Sequence, residues 1–214
     1  EPTIRPYAIN TAVGLPQAGI IADRGKAMLL TLGMPGVQIT PIPKAIGGNT
    51  SALSPDGRFM VSANEYSDFL FWVDLKGDRI PRSIKLSFKN VRGLSFSADG
   101  RRLAVVGQDG AGVYDTQSKT WLLTKNLPAT DFYQEEFTFS ADGQQLVLTQ
   151  RGAVLQLINY DVITGQVNWE QPSLFFNQLA FSPDGQRLFA AQSVPFRLHQ
   201  LDGKTGRSLL ANKV

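Results

Sequence analysis

Short apolar runs recur along the chain in pairs, and a turn-forming segment separates the two runs of each pair. The clearest pairs lie at 52–53 and 59–61, 94–96 and 103–106, 137–139 and 146–148, and 179–181 and 188–190. Two apolar runs on either side of a short Asp-Gly segment are typical of a β-hairpin. The sequence has no sustained apolar spacing of 3.6 residues, so the pattern predicts strands and no helix longer than about two turns.

The segment between the two runs of each pair is itself repeated. It reads SPDGR at 54–58, SADGR at 97–101, SADGQ at 140–144 and SPDGQ at 182–186, with steps of 43, 43 and 42 residues. A constant period of this length indicates a repeated structural unit. In each segment we expect the Asp to accept hydrogen bonds from nearby backbone N–H groups and the Gly to take a positive φ. Asp56, Asp99, Asp142 and Asp184 are therefore interpreted as turn residues.

A second turn segment follows in each unit, 18 to 21 residues after the Ser that begins the first. It reads DLKG at 74–77, DTQS at 115–118, DVITG at 161–165 and DGKTG at 202–206. Each lies between an apolar run and a more polar closing strand, so each unit contains four strands, a to d, joined by tight turns. Repeated four-stranded units of this kind are the blades of a β-propeller. The predicted fold is an all-β propeller of about five four-stranded blades.

The turn sequences resemble those of a known repeat family. An S-P-D-G turn between strands a and b, with D-x-x-T-G between strands c and d, resembles the WD40-like and YVTN-type propellers of bacteria. Residues 160–170 (YDVITGQVNWE) are also similar to a repeat of quinoprotein-type propellers. The resemblance covers residues 50–214. It implies the fold but no particular activity, because such blades serve unrelated functions.

We expect one β-propeller domain over residues 1–214 with an irregular first blade. The first blade spans about 1–46, and the regular blades span about 47–88, 89–128, 129–172 and 173–214. Residues 20–30 align with an a–b hairpin at a step of only 32, which predicts a first blade shortened at its c–d end through 41–43. Residues 3–9 would supply a further outer strand.

Five units leave the closure of the ring open. Unpaired sheet edges invite association. We therefore expect either that five blades close, with residues 3–9 pairing alongside the last blade, or that two chains complete one ring as a homodimer. The alternative is a chain that forms part of a larger propeller, completed by further blades. The sequence begins with Glu1-Pro2 and no Met, which favours removal of a secretory signal and a periplasmic or secreted bacterial protein.

The composition argues against several kinds of site. There is no Cys, which excludes disulfides, thiolate nucleophiles and Cys-ligated metals. His199 is the only His, so a His-based triad or a zinc site is not expected. The formal charge is +3, but Arg101-Arg102 is the only basic pair, so no nucleic-acid partner is expected. No run of 18 apolar residues is present, so no membrane span is predicted.

Partner binding is expected on the face that carries the b–c and d–a loops, opposite the Asp-Gly turns. Two loops stand out there: an insertion at 64–68, and a long d–a connection at 129–136 that mixes acids with adjacent aromatics. A protein or peptide partner is predicted to contact Asn64, Glu65, Tyr66, Asp68, Asn90, Arg92, Asp131, Phe132, Tyr133, Glu135, Glu136 and Arg151. The alternative interpretation of Phe132 and Tyr133 is packing between blades.

These observations favour a non-catalytic protein-binding or scaffold propeller of a bacterial envelope or secreted protein, without catalytic residues or a required cofactor. A weaker signal concerns Ca²⁺ or Mg²⁺, because carboxylates around the channel could supply oxygen ligands. These candidates are Glu65, Asp68, Asp109, Asp131, Glu135 and Glu136. The alternative function is a propeller enzyme, either a lactonase-like hydrolase or a quinoprotein-type dehydrogenase, with a divalent cation at the central channel.

Overall fold

Over the residues that it describes, the structure, a computed structural model, contains twenty β-strands in five antiparallel four-stranded sheets. It describes residues 8–11, 18–23, 26–33, 36–46, 50–64, 67–127, 136–151, 154–172, 176–193 and 195–213. Over these ranges all regular structure is β, and nothing has the length and apolar character of a membrane-spanning helix. The chain divides into two compact units, Glu1–Phe96 and Ser97–Val214.

The strands follow one another through the five sheets in chain order. The first sheet contains β1 (Ala8–Thr11), β2 (Ala18–Asp23), β3 (Lys26–Gly33) and β4 (Gly36–Ile46). The second contains β5 (Thr50–Leu53), β6 (Phe59–Ala63), β7 (Phe69–Asp74) and β8 (Arg82–Lys85). The third contains β9 (Val91–Phe96), β10 (Arg102–Gly107), β11 (Gly110–Asp115) and β12 (Thr120–Asn126). The fourth contains β13 (Phe137–Phe139), β14 (Gln145–Arg151), β15 (Leu155–Asp161) and β16 (Val167–Pro172). The fifth contains β17 (Gln178–Phe181), β18 (Arg187–Ser193), β19 (Phe196–Asp202) and β20 (Ser208–Lys213).

Central strands of the sheets are buried on both faces, which explains why their sequences are continuously apolar. Leu103, Ala104, Val105 and Val106 of β10 are each fully buried. A strand covered on both sides by neighbouring layers selects apolar residues at successive positions. The fourth strand of the second sheet, β8, is largely exposed, which agrees with the more polar closing strand that the sequence predicts.

The pairing of the third with the fourth strand contains the same irregularity in three sheets. The register shifts between Val113 and Tyr114, between Asn159 and Tyr160, and between Gln200 and Leu201. Each shift lies just before the Asp that ends the third strand. An extra residue on one strand produces such a bulge and increases the local twist. The bulge is therefore a feature of the repeat.

The first sheet differs from its prediction. Residues 18–23 and 26–33 do form a hairpin, but it joins the second and third strands of that sheet rather than strands a and b. Ala8 and Ile9 pair with Ala22 and Ile21, so they belong to the first strand and do not extend the last sheet. The expected shortening is also wrong, because β4 continues through residues 41–43 to Ile46. Prolines are tolerated there because β4 is an edge strand with a register shift opposite Lys26.

Apolar clusters join neighbouring sheets of the second unit. Between the third and fourth sheets, the cluster includes Val113, Leu123, Leu146 and Ile158. Between the fourth and fifth sheets, a second cluster contains Val147, Leu157, Trp169, Phe176, Leu179, Leu188, Ala190 and Leu201. First strands of neighbouring sheets also touch, as β13 does β17. The sheets therefore stack face to face, as blades do.

Candidate functional site

The predicted partner surface is described only in part. In the first unit, Asn64 is exposed and Asp68 half-buried, and the backbone of Ser67 donates to Asn64 O at 3.0 Å to close the turn after β6. Asn90 has a left-handed φ of 52°, and Arg92 lies half-buried in β9. Glu65, Tyr66, Asp131, Phe132, Tyr133 and Glu135 lie outside the described residues, as does the side chain of Arg151 at the end of β14.

Glu136 is the one member of the long d–a connection whose surroundings are described. Its backbone N–H donates to Thr149 Oγ1 at 3.0 Å, and its carbonyl accepts from Thr149 N at 2.9 Å. These bonds attach the end of the connection to β14. The carboxyl group is half-buried, and this burial raises its pKa above the ordinary value.

Potential metal ligands do not converge in the described part of the chain. Among those residues no group of three His, Asp or Glu side chains could hold a metal ion. Of the six predicted oxygen ligands, Asp68, Asp109 and Glu136 are described. His199 lies in β19, where its ring meets the ring of Phe176 edge-on at 5.3 Å.

The Asp-Gly turns have the local chemistry that the sequence predicts. In the fourth sheet, Asp142 Oδ1 accepts from Ser140 Oγ at 2.6 Å and from Gln144 N at 2.9 Å. The same pair of bonds recurs at Asp56, Asp99 and Asp184. The glycines of the four turns have φ between 65° and 72°. The interpretation of these aspartates as turn residues is confirmed.

The second turns are also closed by their own aspartates. Asp161 Oδ1 accepts from Ile163 N at 2.9 Å and Thr164 N at 2.7 Å, and Asp202 makes the corresponding bonds to Lys204 and Thr205. The hydrogen bond from the backbone N–H of Thr164 lowers the pKa of Asp161. The Thr164 hydroxyl and the Ile163 N–H act in the same direction.

A hydrogen bond links the two turns of each regular sheet, which sequence reasoning missed. The residue after each Asp-Gly pair accepts from the backbone N–H just beyond the third strand. The bonds are Leu75 N to Arg58 O, Thr116 N to Arg101 O, Val162 N to Gln144 O and Gly203 N to Gln186 O, at 2.7 to 2.9 Å. Both turns therefore lie at the same end of their sheet, as predicted. We call this end the turn end.

The fifth residue after the motif Ser makes a different contact at the turn end in successive sheets, and in one case this contact reaches the next sheet. In the second sheet this residue is Phe59, whose ring lies 5.2 Å from that of Trp72. In the third sheet it is Arg102, whose Nη1 donates to Gly143 O of the following Asp-Gly turn. In the fourth sheet it is Gln145, whose Oε1 accepts from the buried Asn159 Nδ2 at 2.7 Å.

A cleft of about 530 Å³ opens at the turn end between the fourth and fifth sheets. We call it the turn cleft. Its lining consists of Ser140, Ala141, Asp142, Gln145, Pro183, Asp184, Gly185, Gln186 and Lys204. The prediction had placed binding on the opposite face. Sequence analysis missed the cleft because it read the motif aspartates only as turn residues.

Comparisons with known proteins identify the fold. No protein-family model matches the chain, and neither does any curated protein sequence. Among solved structures, the chain is similar to Kuenenia stuttgartiensis hydrazine synthase, with a TM-score of 0.68 and 16% identity. It is also similar to a putative 6-phosphogluconolactonase from Bacteroides fragilis, with a TM-score of 0.70 and 13% identity.

Both neighbours are propeller-type folds, so the predicted fold class, an all-β propeller of four-stranded blades, is confirmed. The match covers 94% of this chain and 64% of the hydrazine synthase chain, and 98% of this chain and 70% of the lactonase chain. The chain therefore spans less than two thirds of the first neighbour. The WD40-like or YVTN-type character of the repeat stays a prediction.

Proposed function

We propose that this chain is a non-catalytic protein-binding propeller of a bacterial envelope or secreted protein, and that it binds a second copy of itself through one face of the fifth sheet. This face, which we call the free face, carries Ala180, Phe189, Phe196, Leu198 and Gln200. Ala180 pairs with Phe189, and Phe189 with Gln200, so these residues point to the same side.

The observation that carries the proposal is the exposure of Leu198. Leu198 lies four residues before the Asp that ends its strand and is 41% exposed. Its counterparts in the other regular sheets, Leu70, Ala111 and Leu157, are at most 1% exposed. Phe196 on the same face is 57% exposed. The fifth sheet thus presents to solvent positions that the repeat elsewhere buries against the next sheet.

The covered interface between the fourth and fifth sheets indicates what fits the free face. There, Val147, Leu157 and Trp169 of the fourth sheet pack against apolar side chains of the fifth. Burying one Leu or Phe side chain contributes about 1.5–3 kcal/mol. A second copy offers the free face a matching apolar sheet, because both copies present Phe196 and Leu198. A self-complementary patch is what a two-fold dimer requires.

Sedimentation equilibrium at micromolar concentration tests the proposal. The chain has a mass of 23.4 kDa, so the dimer is expected at twice that value. Leu198→Asp should return the mass to that of one chain. Ile163→Asp is the matched control, because Ile163 is an equally apolar residue that is 57% exposed on a turn away from the free face. A wild-type monomer, or equal dissociation of both variants, would contradict the proposal.

The loop surface predicted from the sequence remains a second proposed contact for a protein or peptide. Its support is the exposure of Asn64 and the partial burial of Asp68 and Glu136 at loop ends. Charge reversal of Glu135 and Glu136 should weaken binding of such a partner. Asp99→Asn, which alters a turn on the opposite face, should reduce stability and leave that affinity intact. The reverse pattern would show that the surface is assigned to the wrong face.

A propeller enzyme is the second candidate, and the names of the two structural neighbours favour it. One is a hydrazine synthase and the other a putative lactonase. A lactonase-like protein with a divalent cation at the channel should hydrolyse a sugar lactone and lose several degrees of Tm in chelator, because an ion bound only to the folded state stabilises it. Absence of both effects would favour the binding protein.

A further inference from the structure

We propose that the turn cleft binds an arginine side chain of a partner polypeptide. The proposal concerns a site distinct from the free face, and it does not depend on self-association. It arises from a comparison of two successive sheet interfaces in the second unit, where the same repeat position is occupied once by Arg102 and once by Gln145.

Between the third and fourth sheets, the chain supplies its own arginine. Arg102 begins β10 and reaches across to the Asp-Gly turn of the fourth sheet, where its Nη1 donates to Gly143 O. The space there is filled: a Cβ placed on Gly143 would lie 3.0 Å from Ser97 Cβ and 3.6 Å from Arg102 Nη1. The guanidinium group and the preceding turn thus close this interface at the turn end.

Between the fourth and fifth sheets, the corresponding residue does not close the interface. Gln145 is shorter than arginine and uncharged, and its Oε1 is held by Asn159 Nδ2 at 2.7 Å. Among the residues that the structure describes, a Cβ placed on Gly185, the counterpart of Gly143, would meet no heavy atom within 4 Å. The turn cleft therefore corresponds to the space that Arg102 occupies between the third and fourth sheets.

The lining of the cleft suits a guanidinium group. Asp142 and Asp184 line it, and the hydrogen bonds that hold their turns all reach Oδ1 among the described residues. Oδ2 of each carboxylate is left as an acceptor. Within the described lining, Lys204 is the one cationic residue beside Asp142 and Asp184, which gives these residues a net charge of −1. A planar, weakly hydrated guanidinium pairs with carboxylate oxygens in a way that a compact ammonium group cannot.

Titration of short peptides, followed by amide NMR shifts, tests the site. The probes are acetyl-Gly-Arg-Gly-amide and the same peptide with citrulline, a neutral isostere, or lysine in place of arginine. We expect the arginine peptide to bind at least tenfold more tightly than either analogue, with shifts centred on residues 140–145 and 183–186. Equal binding of the citrulline or lysine peptide, or no binding of the arginine peptide, would overturn the assignment.

Two variants separate occupancy of the cleft from a general effect of charge. Gln145→Arg should fill the cleft with an arginine of the chain itself, as Arg102 fills the space between the third and fourth sheets. Peptide affinity should then fall at least tenfold. Gln166→Arg adds the same charge at an exposed residue outside the lining and should leave affinity within twofold. Gln145→Arg removes an acceptor of the buried Asn159 Nδ2, so the amide spectrum must first show that the variant is folded. Unchanged peptide affinity in the folded variant would contradict the proposal.

Discussion

Gly206, in the second turn of the fifth sheet, lies directly against the indole ring of Trp169 in the fourth sheet. A Cβ placed on Gly206 would lie 2.6 Å from Trp169 Cε3, and the φ of Gly206 is 70°. The ring is also held by a hydrogen bond that Trp169 Nε1 donates to Gly203 O of the same turn, at 3.2 Å. This glycine therefore serves two purposes, because it permits the left-handed turn and leaves room for the indole that joins the sheets.

Gly206→Ala should destabilise the chain more than Gly185→Ala. Both glycines are left-handed, and an L side chain in that conformation costs about 1–2 kcal/mol. At Gly206 the alanine Cβ would in addition clash with the indole of Trp169. Overpacking of this kind typically costs about 1–3 kcal/mol more. Urea unfolding of the two variants measures the difference. Equal losses of stability would mean that the indole moves aside without cost.

Acidification should weaken the fold through the turn aspartates. The backbone N–H of Thr164 lowers the pKa of Asp161, and the hydroxyl and N–H of Thr205 lower that of Asp202. A carboxyl whose pKa is lower in the folded than in the unfolded state stabilises the fold fully above the unfolded value, about 3.9. That contribution is lost as the pH falls through the folded pKa.

We therefore expect the free energy of unfolding to fall below about pH 4. Asp202→Asn should lose less free energy of unfolding on acidification than the wild type does, because the variant lacks one titrating turn carboxyl. Urea titrations between pH 2 and 7 provide the measurement. A variant with the same pH slope as the wild type would show that Asp202 does not contribute.

Glu136→Gln should have the opposite pH dependence. Burial raises the pKa of Glu136 in the folded state, so its charged form is disfavoured there. The resulting penalty is absent below the unfolded pKa, about 4.3, and complete above the folded value. The variant should thus be more stable than the wild type at pH 8 and equally stable near pH 3. Equal stability of the variant and the wild type at pH 8 would contradict this prediction.

The sequence predicted those parts of the fold that are determined by neighbouring residues. Ser140, Asp142 and Gly143 form their turn through bonds spanning two to five residues, so the motif alone was sufficient. The first sheet was assigned wrongly because the segment at 23–25 contains an acid and a glycine but lacks the preceding Ser. Its strand order depends on the distant pairing of Ile9 with Ile21, which no local motif indicates.

The turn cleft depends on which side chains two successive sheets bring together, and this is why sequence reasoning did not find it. Self-association through an unpaired terminal sheet was expected from the sequence, but the exposed positions on that sheet were not distinguished from their buried counterparts. The turn cleft exists because Gln145 replaces the arginine of the preceding unit and turns toward Asn159. The free face is recognised because Leu198 is 41% exposed, although the repeat gives it the same apolar character as the buried Leu157. Both differences become visible only when equivalent positions of successive sheets are compared in three dimensions.

The central claim is that the face by which Leu157 of the fourth sheet packs against the fifth has an exposed counterpart around Leu198 of the fifth sheet, and that this counterpart binds a second copy. Comparing Leu157→Ala with Leu198→Ala, by urea unfolding at a concentration low enough to keep the chain monomeric, tests it most directly. Leu157→Ala should cost about 2–5 kcal/mol, as large-to-small changes in a core do. Leu198→Ala should cost less than about 1 kcal/mol, because its side chain is already partly in water. Equal costs would show that Leu198 is covered within a single chain and would contradict the account.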